Sequence, residues 1–488
     1  MITHKIILNP KYILKNDLHR IILTTKDDNS LTTFIHPLHA MILSFFDNPL
    51  FLDEAINLIS SSLGISKDVI REFVLMLLHN TSKKWIGEGK NACHFPEEVL
   101  IEETANYQSR KYHFRDFMIN DKDLDFVSRR FYIPLDTMMM VHTRCYTDCI
   151  YCYANRKEKN NLTIPLERIF EIIEEAKSLN FKNFDVTGGE FFLYKNWEAL
   201  LKKMLQCGFT PTSIPTKVPL SNEIIKKISK TGYEQIQVSL DSIEPSTLSQ
   251  ILQVDISYFQ AIETMLKNLK KHNLKFRVNT IITSYNCFIN QIDDLIQYLK
   301  GYSNFTEISL GTVGYSLYKR NTINYSNFPS FEDATILFEF LKNKYGNDDQ
   351  VIISDITKTE DNINYSSDKF FSKAKCTGNM QGFYILPDGK VTICEELYWH
   401  PKFIIGDLMK QNIMEVWNSN EAMQLYHLTQ NIIRKSSPCS TCDTFTYCRE
   451  DGNVCWREVI KSYGQENWDY PDPRCQYAPK AINRIYIK

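Results

Sequence analysis

The placement of cysteine constrains this chain more than any other feature. Three of its 13 cysteines, Cys145, Cys149 and Cys152, fall in the stretch CYTDCIYC, and seven more follow residue 375. The N-terminus, MITHKIILNP, lacks a signal-peptide layout, so the chain is expected in the cytoplasm, where thiols stay reduced. There, clustered cysteines bind metal more often than they form disulfides. Cys93, Cys207 and Cys287 stand apart and read as small buried hydrophobes. Cys287 differs in following an apparent strand, which would let it face a site.

With 488 residues, 43% hydrophobic and 23% charged, the chain has globular composition and length for several domains with real cores. The net charge of −2 excludes bulk attraction to nucleic acid or anionic membrane. Its richest apolar runs, MILSFF (41–46) and FVLMLL (73–78), fall far short of the roughly 18 residues of a spanning helix.

Residues 1–90 read as an α+β module. Short strands (KIIL, RIILTT, LTTFI) precede three helical patterns, Pro37–Phe46, Leu52–Leu63 and Lys67–His79, the last capped by Ser66. Lys84-Trp85-Ile86 with Gly87 and Gly89 forms a wing-like return, so a winged-helix-like domain is expected. Its 10 Lys+Arg against 9 Asp+Glu are too balanced for a phosphate-tracking surface. Residues 91–136 look polar and bridging, with little core of their own. From 137 to 345 six strands alternate with helices, at 137–143, 183–187, 210–216, 236–240, 275–283 and 307–313. That order predicts a parallel α/β sheet or partial barrel, a TIM-like (β/α)6 arrangement with its chemistry at the strand C-termini. Residues 346–375 read as a linker. Residues 376–488 are cysteine-dense and loop-rich, and are expected to fold around metal.

CYTDCIYC follows the first strand of the barrel pattern. A structural zinc site needs a fourth ligand, and His142 sits on the strand, poorly placed to supply one. Three thiolates on one loop suit an iron–sulfur cube with one iron left unprotected. The run resembles the signature of the radical S-adenosylmethionine (SAM) enzymes, C-x3-C-x-aromatic-C, with Tyr151 at the aromatic position. The resemblance implies a [4Fe–4S] cluster whose open iron binds SAM and generates a 5′-deoxyadenosyl radical. It also implies SAM contacts from Thr187-Gly188-Gly189-Glu190, with Glu190 on the ammonium, and from Thr216 and Lys217 near the carboxylate. Ser239 and Asp241 in SLDS would face the ribose or methionine portion. Asn279, beside Arg277 on the fifth strand, and the backbone of Val313 complete the implied set; core packing is the plainer reading for those three.

The C-terminal cysteines resemble the SPASM domain of peptide-modifying radical SAM enzymes. By position, Cys439, Cys442, Cys448 and Cys475 would ligate an outer auxiliary [4Fe–4S] cluster, and Cys376, Cys394 and Cys455 an inner one. Three clusters are therefore implied, with two departures from the family pattern. Six residues, REDGNV, separate Cys448 from Cys455 where three are usual, and no cysteine near Cys376 completes the inner set. Two zinc sites are the alternative. HPLHAMILSFFDNPLFLDEAINLI then resembles a PqqD-like module that binds a precursor's leader peptide as an added strand.

Together these resemblances imply a maturase of ribosomally synthesised peptides that forms a cysteine sulfur-to-carbon thioether. It would draw electrons from flavodoxin or ferredoxin and need neither nucleic acid nor membrane. Carbon–carbon cross-linking, and epimerisation with Cys287 as hydrogen donor, are the rivals among enzymes. Formylglycine formation is a weaker one, since it needs no leader-binding module. A non-catalytic iron–sulfur peptide-binding or electron-transfer scaffold is the rival from another class.

Overall fold

Alternation of short apolar runs with amphipathic helices is carried through both parts of the chain. The structure is a computed structural model that describes residues 4–25, 32–88, 92–104, 107, 109–154, 163–314, 316–317, 327–354 and 366–481. Two units emerge, Met1–Ile133 and Pro134–Lys488.

In the first unit β1 (Ile6–Leu8), β2 (Tyr12–Asn16), β3 (Ile21–Thr25) and β4 (Thr32–Ile35) precede α1 (Pro37–Phe45), α2 (Leu52–Leu63) and α3 (Lys67–Leu77). Strands β2, β3 and β4 form an antiparallel sheet. Helix ends follow local chemistry. Ser66 Oγ accepts the Asp68 N–H at the start of α3, and Gly64, at φ +70°, closes α2. The wing is present as β5 (Lys84–Ile86) paired with β6 (Cys93–Phe95), and β7 (Leu100–Glu102) returns to β1. The hairpin straddles the boundary expected at residue 90; Gly89 of its expected turn lies outside the described residues.

Residues 92–133 are not a bridge but the completion of this unit. Val99, Leu100 and Phe117 are buried in the same core as Leu23, Leu43 and Val74. Asp47, 1% exposed, accepts the backbone N–H groups of Arg110 and Tyr112, both at 2.9 Å, and the hydroxyls of Tyr107 (3.1 Å) and Ser109 (2.8 Å). The segment's polar composition suggested solvent, yet these groups are satisfied inside the fold.

In the second unit the barrel runs β8 (Asp136–Met140), α4 (Leu166–Ser178), β9 (Asn183–Thr187), α5 (Trp197–Gln206), β10 (Pro215–Thr216) and α6 (Asn222–Ser229). It continues through β11 (Gln235–Ser239), α7 (Pro245–Leu252), α8 (Tyr258–Lys271), β12 (Lys275–Ile282), α9 (Ile289–Lys300) and β13 (Phe305–Thr312). Pairing within β8–β9 and within β10–β13 is parallel, the expected partial (β/α)6 barrel. The third strand is two residues long, because Pro211 and Pro215 cannot donate to a ladder. The wall opens there: β9 and β10 fall in separate sheets, and the Thr212 N–H donates to Asp185 Oδ1 at 2.7 Å.

The expected linker 346–375 also departs from expectation. After α10 (Phe331–Tyr345), β14 (Val351–Ser354) adds a further parallel strand beside β13; residues 355–365 lie outside the described residues. Its polar composition hid a short apolar run, Val351-Ile352-Ile353, ahead of Ser354. Beyond α11 (Ser367–Ser372), β15 (Gly382–Ile385) lies parallel to β8 and antiparallel to β16 (Lys390–Thr392), which pairs with β17 (Ile404–Asp407). The cysteine-rich region thus prolongs the barrel sheet in the order β17-β16-β15-β8-β9. Short helices α12 (Ile413–Trp417), α13 (Asn420–Tyr426), α14 (Phe445–Glu450) and α15 (Trp456–Tyr463) follow. Among the described residues, no helix is long and apolar enough to cross a membrane.

Asp47→Ala would strand two backbone donors in the first unit. It is expected to destabilise that unit by about 2–4 kcal/mol, read as a lower urea midpoint and faster proteolysis within residues 104–116.

Candidate functional site

The C-terminal ends of β8 and β9 approach so closely that glycine is obligatory. A Cβ on Gly189 would stand 1.8 Å from the Arg144 carbonyl oxygen, and the Gly189 N–H donates to the His142 carbonyl at 2.8 Å. This contact sets Glu190 beside the cysteine loop, with Cys145 Sγ 3.9 Å from Glu190 Oε1. The loop rests on the end of α7: Asp148 N–H donates to the Leu252 carbonyl and Ile150 N–H to the Ile251 carbonyl. His142 lies past the end of β8 rather than within it, and its Nδ1 accepts the Arg144 N–H at 3.1 Å. That ring serves the turn and leaves the thiols as a set of three. Thr147, which no spacing argument marked, places Oγ1 3.1 Å from Cys149 Sγ and 3.7 Å from Cys145 Sγ.

Glu190 accepts from Thr216 Oγ1 at 3.1 Å and from the Lys217 N–H at 3.0 Å. Tyr151 donates its hydroxyl to Asp241 Oδ2 at 2.6 Å, and the Ile281 N–H occupies the other Asp241 oxygen at 2.8 Å. Burial would pull the Lys217 ammonium down, but Cys149, Asp241 and Glu190 around it outweigh burial and hold it protonated. Burial raises the Glu190 and Asp241 carboxyls above the usual range, and Lys217 is the largest opposing influence on each.

These residues line one cavity of about 440 Å³. Cys145, Cys149, Tyr151, Cys152, Thr187, Gly188, Gly189, Glu190, Thr216, Lys217, Ser239 and Asn279 all border it. Three expected residues do not. Asp241 is fully buried with both oxygens engaged, so it fixes Tyr151 in place of facing a ligand. Val313 is buried with its N–H donated to the Ile282 carbonyl, while its neighbours Thr312 and Gly314 reach the cavity. Cys287 is buried away from the cavity, its thiol pushed up to about 12 by burial and by Asp333. The turn after β12 carries it there: Asn286 donates to the Asp241 and Ile281 carbonyls and folds the chain inward.

The opposite wall comes from the cysteine-rich region and was invisible to spacing arguments. Glu395, Glu396, Arg457, Glu458 and Lys461 border the same cavity. Arg457 donates to Glu396 at 2.9 Å and to Glu458 at 2.8 Å, and Lys461 reaches Glu396 at 2.6 Å. Glu395 and Arg457 stand next to Cys394 and Trp456–Cys455 in the chain, so two inner-set thiols lie directly behind this wall. Cys439, Cys442, Cys448 and Cys475 line a separate hollow with Phe370, Phe371 and Phe445.

Among the described residues, no three His, Cys, Asp or Glu side chains converge as a single metal ion requires. The thiols border hollows as sets, an arrangement that fits multi-iron groups held by thiolate. Burial pushes Cys149 and Cys475 up to about 11 and Cys448 and Cys455 up to about 12.

Two outcomes are expected. Gly189→Ala should cost about 3 kcal/mol or more through backbone overlap, and should lower the iron bound by the cysteine loop in reconstituted protein. Because burial keeps Cys149, Cys448, Cys455 and Cys475 protonated at neutral pH, iron uptake should release protons and strengthen from about pH 6.5 to about pH 8.5, measurable by pH-stat and iron assay.

Residues 139–299 match the radical SAM superfamily, and residues 376–443 match SPASM, an iron–sulfur cluster-binding domain. Probable GTP 3′,8-cyclases of Saccharolobus islandicus are 25% identical over 158 residues, 32% of this chain. The chain spans about half (51%) the length of these curated relatives. Streptococcus suis SuiB bound to S-adenosylmethionine shares the fold over 96% of this chain and 98% of that one, with TM-score 0.62 and 14% identity. SuiB bound to the precursor peptide SuiA gives TM-score 0.64 over 96% and 100% of the two chains, again at 14% identity. Residues 139–299 thus match a radical SAM domain, whose cofactors are SAM and a [4Fe–4S] cluster, and residues 376–443 a SPASM domain, which binds iron–sulfur clusters.

Proposed function

We propose that this chain is a radical SAM maturase of a ribosomally made precursor peptide, forming a thioether between a cysteine sulfur and a carbon. One observation carries the reading. The radical SAM residues and the charged wall beside Cys394 and Cys455 border a single cavity of about 440 Å³, large enough for a cofactor and a short peptide segment. Cys145, Cys149 and Cys152 would hold a [4Fe–4S] cluster, and SAM bound beside it would supply hydrogen-atom abstraction chemistry to a peptide in the cavity. Glu190 would accept from the SAM ammonium, and Lys217 would offset the SAM carboxylate. Ser239 and Asn279 would border the nucleoside side, and Thr312 and Gly314, on either side of the buried Val313, would reach the adenine. Asp241 positions Tyr151, and Thr216 positions Glu190.

In this reading Cys439, Cys442, Cys448 and Cys475 hold the outer auxiliary cluster, and Cys376, Cys394 and Cys455 the inner one. Three thiols at the inner set leave a position for a substrate sulfur, which favours a thioether over a carbon–carbon link. Epimerisation would need a hydrogen donor facing the peptide, and Cys287 faces elsewhere.

The first unit serves the leader. The outer side of β2 is engaged by residues 110–116, with the Leu14 N–H donating to Tyr112 Oη at 3.1 Å and Asn16 donating to the Asp116 carbonyl. Strand β4, at the other end of the sheet, faces β6, with Thr33 Oγ1 donating to the His94 carbonyl at 3.0 Å, but has no ladder partner beyond β3 among the described residues, so a peptide strand would add there. The setting is the cytoplasm, with flavodoxin or ferredoxin as electron source.

Anaerobically reconstituted, reduced protein is expected to convert SAM to 5′-deoxyadenosine, and Cys149→Ala to abolish it; absence of cleavage in the wild type would sink the reading. Co-expression with the precursor should lower its mass by about 2 Da, simple hydrogen arithmetic for one cross-link, with loss of one alkylatable thiol. Mass loss with the thiol still alkylatable would instead mean a carbon–carbon bond.

A further inference from the structure

The six residues between Cys448 and Cys455, REDGNV, exceed the usual spacing, and the fold gives them two tasks. Gly452 accepts the Cys376 N–H at 2.7 Å and so pins the first inner-set cysteine. Arg449, the first residue of the stretch, turns its guanidinium inward between the two thiol sets. It borders both the hollow of Cys439, Cys442, Cys448 and Cys475 and the smaller one beside Cys376.

Arg449 is 7% exposed, yet no carboxylate pairs with it among the described residues. Its Nη2 donates to the Tyr470 carbonyl at 3.2 Å and lies 3.5 Å from Cys439 Sγ. Nε and Nη1 have no partner among the described residues. The plane rests on aromatic carbon, 4.7 Å from the Trp456 centroid and 5.5 Å from that of Phe445. The acids nearby are engaged elsewhere: Asp472 with Arg474, Asp469 with Arg434, and Asp451 with Lys375.

A guanidinium buried with two idle donors is costly unless an anion compensates it. The surroundings offer one class of anion, the thiolate-ligated cluster that the cysteines beside it would hold. Fe–S reduction potentials follow net charge and hydrogen bonds to sulfur. Reduction adds one negative charge to such a cluster, so a fixed cation donating to its sulfur favours the reduced form.

We infer that Arg449, donating toward Cys439, raises the reduction potential of the outer auxiliary cluster. The inference rests on the cluster assignment above but not on the peptide or the bond formed. An electron leaving the substrate radical would reduce this cluster by one unit, and an external one-electron acceptor such as oxidised flavodoxin would reoxidise it.

The test is a potentiometric EPR titration of full-length reconstituted protein in which Cys145→Ala, Cys149→Ala and Cys152→Ala remove the third cluster's signal. The outer signal is identified by its change in Cys442→Ser. Arg449→Met is expected to raise the oxidised-to-reduced ratio of that signal about tenfold at the wild-type midpoint, about 59 mV more negative for one electron. Arg449→Lys, which keeps the charge, is expected to shift it less, and the inner signal should move less in both. An unmoved outer midpoint in Arg449→Met, an equal shift in the lysine variant, or a larger shift of the inner signal overturns the inference. If Arg449→Met binds less iron, retention by Arg449→Lys supports it and equal loss in both overturns it. Failure of both wild-type auxiliary signals to form would instead overturn the cluster assignment.

Discussion

Everything in the catalytic half depends on one backbone contact, Gly189 seated against the Arg144 carbonyl. With no room for a Cβ, the end of β9 presses directly on the start of the cysteine loop. That approach holds Glu190 near Cys145 and brings Thr216 and Lys217 to its carboxylate. Glu190 and Lys217 are both buried there, and each charge opposes the effect of burial on the other. Held as they are, each compensates the other in a setting where an unpaired charge would be expensive.

The second constraint is the ladder between β15 and β8. A parallel strand contributed from more than two hundred residues downstream binds the cysteine-rich region to the strand that launches the cysteine loop. The strand before the cysteine loop and the strands before Glu395 and Glu396 therefore belong to one sheet. The ion-paired set of Glu396, Arg457, Glu458 and Lys461 then forms a charged face opposite the three thiols. Its charges are mutually satisfied, which lets a polar wall stand at the edge of a buried cavity.

The first unit illustrates how composition misleads. Residues 107–112 look like linker because they are rich in hydroxyls and charge. Four of their donors meet at the buried carboxylate of Asp47, some sixty residues earlier in the chain. Similarly, the apparent linker after α10 holds β14, since three apolar residues suffice when a parallel neighbour is already in place.

Much of this architecture was legible beforehand because it is local. Cysteine spacing, the GGE turn, strand–helix alternation and Ser66 as a cap each act over a few residues, and such patterns survive in a linear reading. Twelve expected site residues meet in one cavity for that reason, each lying on a barrel strand or in the loop after one, and the ends of those strands must face the same side. Tertiary structure alone decided the rest. It withdrew Asp241 and Cys287 from the cavity, added Thr147 and the wall around Glu396 and Arg457, and placed Arg449 between two thiol sets. Such juxtapositions join residues through packing of distant segments, and pairing energy at long range leaves no period or spacing in the chain that could announce it.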